Sequence, residues 1–224
     1  MAGSVEVNIG GHPMLALADR ALFWPARSRL MLSDLHLGKA DTFRRHGMAL
    51  PTGGTTLDLD RMSSLAAATG ARELWILGDF LHGSIKFQSW RSQWHDWRAA
   101  HAALDIRVLT GNHDTALHAA DLAVTLLGPA VEDAGIAFRH APELVESHHV
   151  ICGHLHPVTR LPMLGGRWPI FWLRPDQTVL PAFSMFTGGL DIDFKDAEDF
   201  VACVKTEAVP SFSRDGPQSR SPKL

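Results

Sequence analysis

Cysteine is nearly missing from this chain. Only Cys152 and Cys203 occur, far apart and in no CxxC pairing, so neither a disulfide framework nor a thiolate zinc site is indicated. Long apolar runs are missing too. No stretch approaches the roughly 18 uninterrupted apolar residues of a membrane span, and the N-terminus lacks the basic start and apolar core of a signal peptide. A soluble protein of the reducing cytoplasm is the expectation. There is no surplus of positive charge either. Lys plus Arg number 21 against 24 Asp plus Glu, a net charge of -3, which excludes the global basic field of a dedicated nucleic-acid binder and leaves room only for local contacts. Tyrosine is absent altogether, to which no chemical reading attaches, and no internal repeat is visible.

What remains is a chain of 224 residues, 46% hydrophobic, suited to one domain with a sizeable core. Residues 1–206 form the expected domain. From about Glu207, VPSFSRDGPQSRSPKL has too few apolar residues to order itself and is expected to be a flexible tail over 207–224. Short apolar runs predict buried strands at Arg29 to Ser33, Glu73 to Leu77, Ile106 to Thr110, Ile136 to Arg139 and His149 to Cys152. Helical patterns lie between the first three, at Thr55 to Thr69 and Ser89 to Leu104. Strands alternating with helices, then mostly strands, predict an α/β or mixed α+β layered domain. Trp90, Trp94 and Trp97 fall at helical spacing, either as a stacking platform for bases or as a buried helix face; the burial reading needs nothing beyond amphipathicity and is preferred. After Gly165 the Pro-, Gly- and aromatic-rich sequence predicts edge strands and turns.

The chain is also rich in histidine, with 13. Each predicted strand is followed directly by metal-competent residues: Asp34 and His36, then Asp79, then Asn112 with His113 and Asp114, then His140, then His154 and His156. Any one of these is ordinary turn chemistry. Five in order are not, because the carboxyl ends of strands in layered α/β folds open onto one crevice. The set mixes nitrogen and oxygen donors without thiolates, which suits manganese, iron, cobalt or zinc better than calcium. Two Asp, one Asn and four His, with His113 in addition, exceed one tetrahedral ion. Two ions about 3.5 to 4 Å apart, sharing a carboxylate, would use them, as phosphate-ester hydrolysis does.

The series DLHLG (34–38), GDF (78–80), GNHD (111–114), His140 and GHLHP (153–157) resembles the calcineurin-like metallophosphoesterase superfamily over roughly residues 30–190. DLHLGKADTFRRHGMALP, LGDFLHG and LPAFSMFTGG further resemble its ligase-associated DNA damage response endonuclease branch, found beside a DNA ligase and a helicase. The resemblance implies a four-layered αββα sandwich. It implies Asp34, His36 and His156 on one metal, Asn112, His140 and His154 on a second, and Asp79 bridging them. His113 would then face the scissile phosphate as catalytic residue, with Asp114 as an orienting partner. His148 and His149 are rivals to His140, but they begin the last strand, at its far end from GHLHP.

His82, Arg44 and Arg45 are candidates for substrate phosphates, with His46 in the same cluster; a bland loop histidine and a solvated helix face are the alternatives. The expected activity is endonucleolytic hydrolysis of single-stranded DNA with two ions, manganese foremost, in DNA repair. Ligase and helicase are the expected partners. Hydrolysis of a small phosphodiester or nucleotide is the first alternative, and a non-catalytic protein-binding scaffold the second.

Overall fold

A computed structural model describes residues 3–48, 53–82, 90–161, 164–185, 187–193 and 199–211. Two sheets face each other. The first holds β1 (Ser4–Ile9), β2 (His12–Leu17), β3 (Ala21–Trp24), β4 (Arg29–Leu32), β5 (Glu73–Leu77), β6 (Asp105–Leu109) and β7 (Thr125–Gly128), hydrogen-bonded in that order. From β4 to β7 the strands run parallel, which requires crossovers. The helices α1 (Lys39–Arg45) and α2 (Gly54–Thr69) supply the first, α3 (Trp90–Ala100) the second, and a 3-10 turn at Asp114–Ala119 lies in the third.

Alternation along the parallel strands explains their unbroken apolar sequence. Leu30, Leu32, Leu74, Ile76, Ile106 and Val108 pack toward the helices, while Met31, Trp75, Leu77 and Leu109 pack into the core between the sheets. Trp90 and Trp94 are fully buried in the helix-side core, so the tryptophan row is a packing face and not a stacking platform. The indoles are also tied down, Trp94 Nε1 donating to Leu122 O at 2.9 Å and Trp97 Nε1 to Ser63 Oγ at 2.8 Å. Ser89, expected to begin α3, lies outside the described residues, and the helix ends at Ala100 instead of reaching Leu104.

The second sheet comprises β8 (Ala130–Asp133), β9 (Ile136–Arg139), β10 (His149–Cys152), β11 (Pro157–Thr159), β12 (Trp168–Leu173), β13 (Gln177–Val179), β14 (Leu190–Asp191), β15 (Asp199–Val204) and β16 (Glu207–Pro210). Its path runs β14-β11-β12-β13-β10-β9-β8, with β15 on β12 and β16 on β15. β9, β10 and β13 are parallel. Two expectations change here. The strand after Gly165 is interior, since β12 pairs with β11, β13 and β15. Glu207–Pro210 is not tail but a strand in register with β15, because Val209 and Ala208 have an apolar surface to lean on; residues 212–224 lie outside the described set. The two-sheet sandwich with helices over the first sheet is as expected. Over the outer face of the second, the described residues place loops carrying Val145, Leu155, Leu161 and Ile192, and no helix. Among the described residues no helix is long and apolar enough to cross a membrane.

Candidate metal centre

β4, β5 and β6 in one sheet and β9 and β10 in the other end at the same edge of the sandwich. The chain leaving β4 stays in register with that leaving β5: Asp34 N–H donates to Gly78 O at 3.2 Å, and His36 N–H to Asp79 O at 2.8 Å. The sheets are stitched together there as well, Phe183 N–H donating to Ser33 O at 2.8 Å. All seven predicted ligands meet at this edge, in two groups.

In the first group, donor atoms of Asp34, His36 and His156 lie within 4.8 Å of one another. His156 Nε2 is 2.9 Å and His36 Nε2 4.0 Å from Asp34 Oδ1. In the second, donor atoms of Asp79, His140 and His154 lie within the same limit. His140 Nε2 is 3.4 Å from Asp79 Oδ2, 3.0 Å from Asn112 Oδ1 and 3.1 Å from His154 Nδ1. His154 and His156 therefore lie in different groups.

The first group is short of partners. Asp34 Oδ1, both ring nitrogens of His36 and His156 Nε2 are buried without a hydrogen bond, although His156 Nε2 and Asp34 Oδ1 are close. Such atoms cost about 1–3 kcal/mol each in an apolar setting, and a cation between them removes that cost. The other atoms of these side chains are fixed from behind. Asp34 Oδ2 accepts from Ser33 Oγ at 2.6 Å and from His154 N–H at 3.0 Å, which turns Oδ1 toward the imidazoles. His140 Nδ1 is 3.0 Å from the Leu77 carbonyl, an acceptor only, so Nδ1 carries the proton and Nε2 offers its lone pair.

Charge states fit as well. Burial, with Lys39 adding to it, pushes the His36 imidazole down to about 3, so it is neutral at neutral pH. Burial would raise Asp79, but His140 and the His113 N–H outweigh it and hold the carboxyl at about 2. Burial would raise Asp34 too, but His156 and Ser33 hold it below its ordinary value. Neutral imidazoles beside ionised carboxylates are the ligand forms of both side chains. His140 is drawn upward against the effect of burial by Asp79 and Asp34, the same negative field that favours a cation. The residues fit a dinuclear site.

Holding these atoms together strains the backbone. Asp34, His36, Asp79, His154 and His156 all have φ between 48° and 68°, in the left-handed region. Each such residue costs about 1–3 kcal/mol, an expense that clusters at functional sites. Gly153 is glycine for lack of space: a Cβ there would meet Ser33 Oγ at 1.7 Å and Asp34 Oδ2 at 2.6 Å. Gly153→Ala is accordingly expected to lower Tm by roughly 2–10 °C and to weaken metal retention, since the intruding methyl displaces the carboxylate that faces the ion. Thermal unfolding and elemental analysis check this; wild-type values in both would contradict it.

His113 stands apart from the ligand groups. Its backbone N–H donates to Asp79 Oδ1 at 3.0 Å, its Nε2 is 3.9 Å from Asp79 Oδ2, and its side chain is 42% exposed. Asp114 was expected to orient that ring. Its buried carboxylate is instead taken by three backbone N–H groups, Leu81 at 2.8 Å, Gly111 at 2.8 Å and Phe80 at 3.3 Å, so it pins the GDF and GNHD loops to each other. His82 lies at the mouth, its ring 5.1 Å from His113 and 5.5 Å from His36. Arg44 is paired with Asp41 within α1, and the Arg45 side chain lies outside the described residues. His46 Nδ1 bonds the Thr42 carbonyl at 2.8 Å. The rivals are excluded by position: His149 Nε2 bonds Thr178 Oγ1 at 2.9 Å and His148 Nε2 is 3.6 Å from Glu132, both at the opposite end of β10.

Several contributors carry no local signal in the sequence. Ser33 buttresses Asp34, and Lys39 lies in the fields of Asp34 and Asp79. Arg61 donates to Phe183 O at 2.9 Å and Arg20 to Ser184 O at 3.2 Å, gripping the segment whose Ser184 N–H reaches Asp34 O.

A two-sheet sandwich with paired Asp/His groups at its strand ends is a metallophosphoesterase fold. No family model matches the chain, and no curated protein matches it by sequence. Among solved structures, the Pseudomonas putida nuclease MPE superposes with a TM-score of 0.81 at 31% identity, covering 92% of this chain and 99% of that one. The chain belongs to the family of that nuclease. Yfce, a phosphoesterase from E. coli, gives a TM-score of 0.45 at 16% identity over 78% of this chain and 86% of its own, too loose a match to carry an argument.

Proposed function

We propose that the chain is a two-metal phosphodiesterase that cleaves DNA, single strands in preference to duplex, as an endonuclease of the ligase-associated DNA damage response branch. The observation that carries this reading is the pair of ligand groups side by side with His113 on their open flank. Descent shared with a nuclease supports the substrate class. The net charge of -3 supports single strands, because duplex binding leans on many phosphate contacts at once.

Asp34, His36 and His156 would hold one ion and Asn112, His140 and His154 the other, with Asp79 shared. When bound, two such ions lower the pKa of a coordinated water and neutralise phosphate oxygens, manganese being the first choice for this donor set. The protein's own residues do the rest. His113, outside both groups, carries the proton for the departing alkoxide at Nε2. Asp114 keeps the two loops that present Asp79 and His113 in fixed relation. His82 stands where it can contact the substrate phosphate beside His113.

A ligase and a helicase are the proposed partners, and repair in the cytoplasm the proposed setting, both on the branch resemblance alone. Small-phosphodiester hydrolysis shares every residue above; a scaffold role does not explain why every ligand position is filled. Purified protein incubated with Mn or with EDTA, against single-stranded DNA, duplex DNA and a chromogenic phosphodiester, separates the three. Metal-dependent cutting of the single strand is expected, with EDTA abolishing it. Hydrolysis of the chromogenic diester alone would favour the small-substrate reading, and no hydrolysis at all the scaffold.

A further inference from the structure

A cavity of about 270 Å³ opens beside the second ligand group, lined among others by Thr110, Asn112, Pro129, Arg139, His140 and His154. Whatever fills it lies next to the ion that Asn112, His140 and His154 would hold, and so next to the phosphate that this ion would bind. That volume lies just under the roughly 300–1,000 Å³ of small-ligand pockets, room for one nucleotide's sugar and base.

Arg139 supplies the cation in its wall. The residue is the last of β9, directly before His140, so its backbone is fixed by the sheet. Its Nε is buried without a hydrogen-bonding partner. Its Nη1 pairs with Glu143 Oε2 at 3.3 Å, but that carboxylate is 71% exposed, and such pairs are weak and readily exchanged. An arginine whose partly exposed fork is held only by an exposed carboxylate is suited to a phosphate, whose oxygens match the guanidinium two at a time.

We infer that this cavity is the subsite for the nucleotide adjoining the scissile phosphate on the Asn112, His140 and His154 side, and that Arg139 pairs with the next phosphate along the strand. The inference rests on the phosphodiesterase reading and adds a substrate requirement: a strand with a second phosphate beyond the one cut, in contrast to an isolated diester.

Arg139→Ala compared with wild type on a single-stranded oligonucleotide and on bis(p-nitrophenyl) phosphate tests it. The expected result is a kcat/KM on the oligonucleotide that falls about tenfold or more beyond any change on the chromogenic diester, the size of a lost charge-assisted contact. The slope of log kcat/KM against log salt should become shallower by about 0.7, one phosphate contact on a single strand. Arg139→Lys should restore most of that slope. Equal losses on both substrates with an unchanged slope, or no loss on the oligonucleotide, would overturn the subsite. Thermal unfolding shows whether Arg139→Ala is folded; if it is not, Arg139→Gln, which keeps part of the stem and a polar end without the charge, is read by the same criteria. The parent reading fails in a different way: wild type would hydrolyse the chromogenic diester and leave the oligonucleotide intact, and the subsite would fall with it.

Discussion

Replacing His113 with alanine is expected to lower turnover by about 10²-fold or more while metal content stays near that of wild type. The ring belongs to neither ligand group. What His113 gives to the metal centre is its backbone N–H on Asp79 Oδ1 at 3.0 Å, and alanine keeps that bond. The substitution therefore removes a proton donor and little else. A further consequence follows from leaving-group chemistry. p-Nitrophenolate departs without needing a proton, whereas a DNA alkoxide needs one, so the defect should be smaller on p-nitrophenyl esters than on DNA. Parallel elemental analysis and kinetics on both substrates check the result. Metal lost together with activity, or equal defects on both leaving groups, would contradict the role.

Asp79→Ala should act in the opposite manner, emptying both metal positions and taking activity with them. Asp79 Oδ2 is 3.4 Å from His140 Nε2 in the second group, and its charge also acts on His36 in the first. Its other oxygen holds the His113 N–H, so the proton donor loses its anchor as well. Among the described residues no other carboxylate stands in the second group, so that ion would be left with three neutral donors, Asn112, His140 and His154, and the first with Asp34 and two imidazoles. Elemental analysis of the purified variant decides it: retention of both ions would overturn the bridging assignment.

The site was legible in the sequence largely because of the sheets that carry it. Parallel strands are buried on both faces, so RLML, ELWIL and DIRVL stand out as apolar runs, and their carboxyl ends could be read as one edge before any fold was known. His140 could be chosen over His148 and His149 on strand-end placement for the same reason. The strands β1 and β2 were missed because they are antiparallel and half-buried, although Gly10-Gly11 between Ile9 and His12 is a two-residue hairpin signal, and β3, which is fully buried, because ALFW is only four residues long and runs into Pro25. β12 was misplaced at an edge, since Pro169 suggested one, while β16 was assigned to the tail because four residues with two charged or proline ends have no burial of their own without β15. The supports of Asp34 were invisible for a different reason. Arg61 and Phe183 are 122 positions apart and Arg20 and Ser184 are 164 apart, and a contact at that separation leaves no periodicity in the chain.

The proposed chemistry needs two ions, held between the two sheets' strand ends, to act together. Titration of metal-free protein with Mn, following bound ion per chain and DNA hydrolysis in the same samples, tests it most directly. Two equivalents should bind, and hydrolysis should appear only as the second is taken up. Full activity with one ion per chain, or two ions bound and DNA left uncut, would contradict it.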